Sequence, residues 1–180
     1  MIFVTVGNAT QGFRRLLDAV DRMAGDGAFG KETVFIQSGN NPGFRPSHCK
    51  HEAFLSMDAF ETKIHEADLI ISHTGAGTLW HALRAGKIPV VMPRQKKYGE
   101  VVDDHQLEIV KALAEEGRVV PAYEPEDLTR AIEEAMKRQR LEDGGWRRNE
   151  EKGKSEGEGR RPQSPMLKLI EQAIEELVKR

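Results

Sequence analysis

Residues 68–78 read Asp-Leu-Ile-Ile-Ser-His-Thr-Gly-Ala-Gly-Thr. The apolar, β-branched run at 69–71 has the composition of a buried strand. Ser72 and His73 close that run, and Gly75 and Gly77 leave the backbone uncrowded at the turn that follows. From Thr78 to Ala85 the apolar spacing is helical, and Gly86 stops the helix. Strand, small-residue turn and helix form the repeating unit of an α/β sheet, in which ligands lie beyond the carboxyl ends of the strands.

The same alternation recurs in both directions. Upstream, Met1–Val6 reads as a strand broken by Gly7-Asn8, and Phe13, Leu16, Leu17, Val20 and Met23 fall at helical spacing. Glu32–Gln37 is a second strand, Glu52–Ser56 a weaker third, and Asp58–Ala67 a short helix. Downstream, Ile88–Met92 is a strand ended by Pro93, Asp104–Glu116 a helix and Arg118–Pro121 a strand. Pro125 opens a last helix, with Glu126 and Asp127 suiting its N-terminus and Lys137 and Arg138 its end. The expectation for residues 1–138 is an α/β fold: a doubly wound, Rossmann-like parallel sheet whose apolar strands are covered on both faces. Residues 139–165 are glycine-rich and dense in both charges, the composition of a flexible polar linker. Met166, Leu167, Leu169, Ile170, Ala173, Ile174, Leu177 and Val178 then make an apolar stripe, read as a docking helix over 166–180. A helix that short is marginal alone in water, so the stripe calls for a covering surface. Glu171, Glu175 and Glu176 suit an anionic membrane poorly, which favours burial against protein.

Composition narrows the function. The chain has 180 residues, with 27 Lys and Arg against 29 Asp and Glu, so no basic surplus argues for nucleic acid. A single cysteine, Cys49, excludes an internal disulfide framework. The opening MIFVTV does not read as a signal peptide, and no stretch of the sequence approaches the roughly 20 apolar residues of a membrane span. A cytoplasmic location is the expectation.

The residues suggest chemistry at two strand ends. At Gly75, Ala76, Gly77 and Thr78, small side chains let backbone N–H groups approach an anion at a helix N-terminus. An ordinary tight turn is the competing reading, because Trp80 stands where a full GxGxxG has its third glycine. Gly7 and Asn8 either face the same crevice or simply turn the chain. The loop 93–106 follows a neighbouring strand. Its Arg94 suits phosphate, and His105 and Gln106 suit sugar hydroxyls. A solvated charged loop whose acids cap the next helix is the bland alternative. His48, Cys49 and His51 lack a second ligand pair, and Glu100, Asp103, Asp104 and His105 read as capping residues, so no metal site is expected. There is no GxSxG elbow, and nothing around Cys49 activates it.

The run from Ile71 to Leu113, ISHTGAGTLWHALRAGKIPVVMPRQKKYGEVVDDHQLEIVKAL, resembles the C-terminal domain of family 28 glycosyltransferases. MIFVTVGN and the FRRLLDAVD that follows fit the same likeness, which extends to about residue 138. It is nearest the small subunits of two-part bacterial exopolysaccharide glycosyltransferases. These are similar in turn to the catalytic subunit of the eukaryotic enzyme that adds the second GlcNAc to dolichol-linked oligosaccharide. The resemblance implies the C-terminal, donor-binding half of a GT-B fold, with a UDP-sugar such as UDP-GlcNAc or UDP-glucuronate as donor. It implies a lipid-linked glycan as acceptor and a membrane-anchored partner subunit that holds the chain peripheral to the inner membrane face. Inverting transfer without metal or cofactor is implied as well. Gly75, Ala76, Gly77 and Thr78 would hold the diphosphate, with Arg94 assisting its departure, and Asp104, His105 and Gln106 would reach the donor sugar. Many relatives carry a ribose-binding Glu where this chain has His81, which retains one hydrogen bond, and GEH where it has Gly99-Glu100-Val101. His73 is the candidate base, a structural cap of the turn being its alternative role. The rival function is a non-catalytic nucleotide-sugar-binding or scaffolding module. A homodimer through the C-terminal helix is the rival assembly.

Overall fold

The computed structural model describes residues 1–102 and 105–150; of residues 105 and 142–150 it describes the backbone alone. Six strands form one sheet: β1 (Ile2–Thr5), β2 (Val34–Gln37), β3 (Lys50–Glu52), β4 (Leu69–Ser72), β5 (Val90–Val91) and β6 (Val120–Pro121). The helices are α1 (Arg14–Gly25), α2 (Met57–Glu66), α3 (Ala76–Arg84), α4 (His105–Glu115) and α5 (Leu128–Glu150). Every strand pair is parallel and the order is β3-β2-β1-β4-β5-β6. This is the Rossmann order, and the winding reverses between β1 and β4. Thr5 pairs with Ser72 in register, so the segments leaving β1 and β4 emerge side by side at that reversal.

Alternating side chains divide the core between the two faces. Ile2, Val4 and Val6 join Leu16, Leu17 and Val20 of α1 and Leu128, Ala131 and Ile132 of α5. On the other face Phe3 and Ile70 meet Ile64 of α2 and Ala82 of α3. Val91 packs with Leu79 of α3 and Val110 and Leu113 of α4. Phe3, Leu16, Leu17 and Leu79 are wholly buried. Each contributes about 1.5–3 kcal/mol of hydrophobic stabilisation, the helices thereby being held on both faces as the strand composition required.

Two boundaries differ from expectation. The third strand lies at Lys50–Glu52 rather than 52–56, because register with Phe35, Ile36 and Gln37 ends at Glu52. Ser56 instead caps α2, its hydroxyl accepting the Ala59 N–H. The last helix continues past residue 138, so the segment 139–150, expected as the start of the linker, is helical in backbone. Gln139 anchors this extension: its Oε1 accepts the Ile88 N–H at 3.0 Å and its Nε2 donates to the Gly86 carbonyl at 3.2 Å. The rest of the expected linker and the expected helix over 166–180 lie outside the described residues.

Candidate functional site

The last residues of β1, β2 and β4 are polar and fully or nearly buried: Thr5, Gln37 and Ser72. Thr5 Oγ1 donates to Gln37 Oε1 at 2.6 Å and accepts the Gly7 N–H at 3.2 Å, and Gln37 Nε2 donates to Asn8 Oδ1 at 3.1 Å. Beside this linked set, Ser72 Oγ, His73 Nδ1 and Thr74 Oγ1 are buried without a hydrogen-bond partner. Buried polar atoms are nearly always paired, so three consecutive orphans mark a place prepared for groups from outside the chain.

His73 sits at the centre. A Cβ on Gly7 would lie 2.5 Å from its Cε1, and one on Gly75 would lie 2.2 Å from its Nε2. The imidazole is therefore slotted between the two strand-end turns, and only glycine fits on either side. Gly7 also has φ +66°, in the left-handed region that favours glycine. Burial, reinforced by the nearby Arg94 charge, pulls the His73 pKa from 6.5 down to about 4, with the Thr5 backbone opposing. The candidate base of the sequence is thus a neutral, enclosed imidazole.

Gly75 is the N-cap of α3 and supplies no side-chain hydrogen bond to the helix. The first-turn N–H groups of Ala76, Gly77 and Thr78 precede the first helical hydrogen bond, Leu79 N–H to the Gly75 carbonyl at 3.0 Å. Gly77 is exposed, with nothing within 4 Å of where its Cβ would be. Thr78 is buried by contrast. The turn is an open, N–H-lined cradle.

The loop after β5 is organised differently. Arg94 is 2% exposed and points inward. Its Nη1 donates to the Gln11, Gly12 and Glu100 carbonyls at 2.9, 3.0 and 3.4 Å, and its Nη2 to the Val6 carbonyl at 3.2 Å. The guanidinium lies 4.7 Å over the Phe13 ring, and burial lowers its pKa. Expected at the phosphate, Arg94 instead ties the β1–α1 segment to the β5 loop in this structure. Gln106 helps to fix it, accepting the Arg94 N–H at 3.1 Å. Glu100 is buried too; Arg15 of α1 grips it at 3.0 and 2.9 Å, and its Oε2 accepts the Gln95 N–H at 3.0 Å. Arg15 further donates to the carbonyls of Pro93 and Tyr123.

Of the remaining expected residues, Asn8 is exposed at the switch point, where its carbonyl and that of Ala9 accept Asn40 Nδ2 at 3.1 and 3.0 Å. His81 lies further along α3 and turns to α2: its Nδ1 is 3.5 Å from Glu61 Oε1 and its ring meets Phe60 edge-on. Burial lowers its pKa, with Glu61 opposing. Asp104 and the His105 side chain lie outside the described residues. Among the described residues, no three His, Cys, Asp or Glu side chains gather to hold a metal ion. Cys49 faces Asp21, and burial, followed by that carboxylate, lifts its thiol to about 12. No described helix is long and apolar enough to cross a membrane. Sequence reasoning missed Thr5, Gln37, Arg15 and Asn40. A polar residue ending an apolar run, as in FVT, FIQ and IIS, was the available signal for the strand ends.

With this geometry in place, comparison with known proteins is specific. The family description that matches residues 1–155 is the glycosyltransferase family 28 C-terminal domain. The chain is similar to the human UDP-N-acetylglucosamine transferase subunit ALG13, 31% identical over 125 residues, which are 66% of this chain and 10% of the relative. A Yarrowia lipolytica protein of the same name is 36% identical over 91 residues, 47% of this chain and 43% of that protein. The chain thus spans less than half the length of these relatives. Among solved structures, the glycotransferase of kitacinnamycin superposes with TM-score 0.55 at 16% identity, over 75% of this chain and 34% of that one. SnogD from Streptomyces nogalater superposes with TM-score 0.52 at 19% identity, over 97% and 42%. The likeness is one of fold, the Rossmann-like half of a GT-B glycosyltransferase.

Proposed function

We propose, from the premise that this chain belongs to the glycosyltransferase family 28 C-terminal domain family, that it is the donor-binding subunit of a two-part UDP-sugar glycosyltransferase. The observation that carries this reading is the α3 N-terminus opening at the β1/β4 reversal beside three orphaned buried polar atoms. Helix N-termini favour anions, and the position is where open α/β sheets take nucleotides. The relatives' name supports UDP-GlcNAc as the first donor to try, with UDP-glucuronate as the alternative sugar.

In this reading Ala76, Gly77 and Thr78 donate N–H groups to the diphosphate, across from Gly7 and Asn8. The charge that develops on the leaving diphosphate is met by dipoles already in place, which lowers the barrier without reorganisation. His73 works as a neutral hydrogen-bonding group at the turn. With a pKa of about 4 it is ill-matched to deprotonating an acceptor hydroxyl near neutral pH. That proton goes to a base outside the described residues or on the partner. His81 with Glu61 is assigned to the nucleoside hydroxyls, and Asp104, His105 and Gln106 to the sugar. A lipid-linked glycan acceptor and a membrane-anchored partner, which would keep the chain peripheral to the inner face, complete the proposal. The helix expected over residues 166–180 is assigned to docking on that partner.

Calorimetry with UDP, UDP-GlcNAc and UDP-glucuronate in the presence of chelator tests the donor site. Binding of UDP and of one sugar nucleotide is expected, and no heat at millimolar ligand overturns the reading. Transfer assays with and without a membrane partner separate the enzyme from a binding module, which would bind donor and never transfer it.

A further inference from the structure

The segment between β1 and α1 has an unusual hydrogen-bond economy. Residues 8–12 are exposed, yet the carbonyls of Val6, Asn8, Ala9, Gln11 and Gly12 are all held by side chains from elsewhere. Asn40 takes Asn8 and Ala9 from the β2 side. Arg94 takes Val6, Gln11 and Gly12 from the β5 side. A trans peptide points its N–H opposite to its C=O. The N–H groups of Ala9 and Thr10 are therefore turned away from Asn40, and that of Gly12 away from Arg94. The Phe13 N–H, opposite the Gly12 carbonyl that Arg94 holds, is taken up within the protein by the buried Asn41 Oδ1 at 2.7 Å.

A buried guanidinium is a costly choice for such a tether, since desolvating a charge disfavours it. Only a planar fork reaches carbonyls that far apart along the chain at once, which a lysine ammonium cannot do. The Arg94 charge is also near enough to His73 to add to the effect of burial in lowering that imidazole's pKa. It therefore adds positive potential beside His73.

We propose that Arg94 is a positioning residue of the anion site: by capturing the carbonyls of Val6, Gln11 and Gly12 it fixes the β1–α1 segment and turns the Gly12 N–H to the donor diphosphate, Asn40 doing the same for the Ala9 and Thr10 N–H groups. The proposal rests on the donor-binding reading above. It predicts that this loop and the α3 N-terminus grip the diphosphate from opposite sides, with Arg94 behind the first.

The test compares Arg94→Lys and Arg94→Met with the parent, reading UDP and uridine affinity by calorimetry, melting temperature, and amide hydrogen exchange of residues 9–12. Both variants should bind UDP about tenfold or more weakly while uridine affinity holds, and amides 9–12 should exchange faster. Lysine failing to rescue is the decisive result, because a lysine touching phosphate directly would preserve UDP affinity. If Arg94→Lys matches the parent for UDP and Arg94→Met does not, Arg94 contacts the ligand and the proposal falls. If the Arg94 variants do not fold, Asn40→Ala frees the same loop through a side chain outside the core. An unchanged ratio of UDP to uridine affinity in that variant also overturns the proposal. Should the parent bind no UDP, the donor reading fails, while unchanged exchange at 9–12 in the variants would separately refute the tether.

Discussion

The turn after β4 and the loop after β5 leave neighbouring strands, each lead into a helix, and each carry polar residues suited to phosphate. Their side chains are used in opposite ways. After β4, Ser72, His73 and Thr74 are buried with orphaned atoms, and the α3 N-terminus beyond them has no side-chain cap. After β5, the hydrogen-bonding reach of Arg94, Gln95 and Glu100 goes almost entirely to the protein: four carbonyls for Arg94, the Tyr123 carbonyl for Gln95, and Arg15 with the Gln95 N–H for Glu100. A charged loop can thus be the support of a site, and a turn of small, weakly polar residues can be the site. Three consecutive unsatisfied side chains mark the β4 turn, whereas among the described residues of the β5 loop only Arg94 Nε is buried without a partner, the groups around it being taken up by the protein.

The support side should show the largest stability effect. Glu100 lies within a bidentate pair with Arg15, the two side chains being 6% and 11% exposed. Removing one member of a buried pair costs about 3–5 kcal/mol, because the other charge is left without its counter-ion. Glu100→Ala should sit at the low end, about 3 kcal/mol, since Arg15 keeps a second carboxylate, Glu124, at 3.4 Å. Denaturant unfolding measures this. A variant as stable as the parent that has lost UDP binding would reverse the roles of the two loops.

The second prediction concerns pH and belongs to the β4 turn. The folded His73 pKa of about 4 lies below its ordinary 6.5, so between those values the unfolded chain binds more protons than the folded one. Stability is fully present above about 6.5 and is lost as pH falls toward 4, by on the order of 3 kcal/mol for a shift of this size. His73→Gln removes that titration. Its unfolding free energy should fall less steeply than the parent's across this window. Parallel curves would mean that His73 is more solvated than its slot between Gly7 and Gly75 implies.

Much of the fold was legible in the chain because strand runs such as IFV and LII are apolar on both faces and are punctuated by glycine. The position of β3 was less legible. Lys50–Glu52 is a polar edge strand whose register depends on β2 and not on its own pattern. The Gly75–Thr78 cradle could be found from spacing, since small residues after a strand have a local reason. The direction in which Arg94 points could not, because the carbonyls it reaches belong to residues some 80 positions earlier. Arg15 was hidden for the same cause. Arg14 beside it pairs with Asp18 one turn along α1, so adjacent arginines of one sequence take unlike roles.

The smallest stability effect comes with the sharpest functional one. Gly75 and Gly77 are two residues apart on one turn, and their neighbours differ. A Cβ on Gly75 would fall 2.2 Å from His73 Nε2, so Gly75→Ala must push a buried ring aside. Overpacking of this kind costs about 1–3 kcal/mol. Gly77 faces open space, and a Cβ there meets nothing within 4 Å. Gly77→Val should change stability by no more than about 0.5 kcal/mol, as surface substitutions do. Its branched side chain nevertheless stands over the first-turn N–H groups of α3. Losing one hydrogen bond to a charged phosphate, worth about 1.5–3 kcal/mol, should weaken UDP binding about tenfold or more. Melting curves and UDP titrations on the two variants together make the measurement. Gly77→Val with parental stability and parental UDP affinity would remove the phosphate from the α3 N-terminus. The orphaned atoms at Ser72, His73 and Thr74 would then need a different ligand.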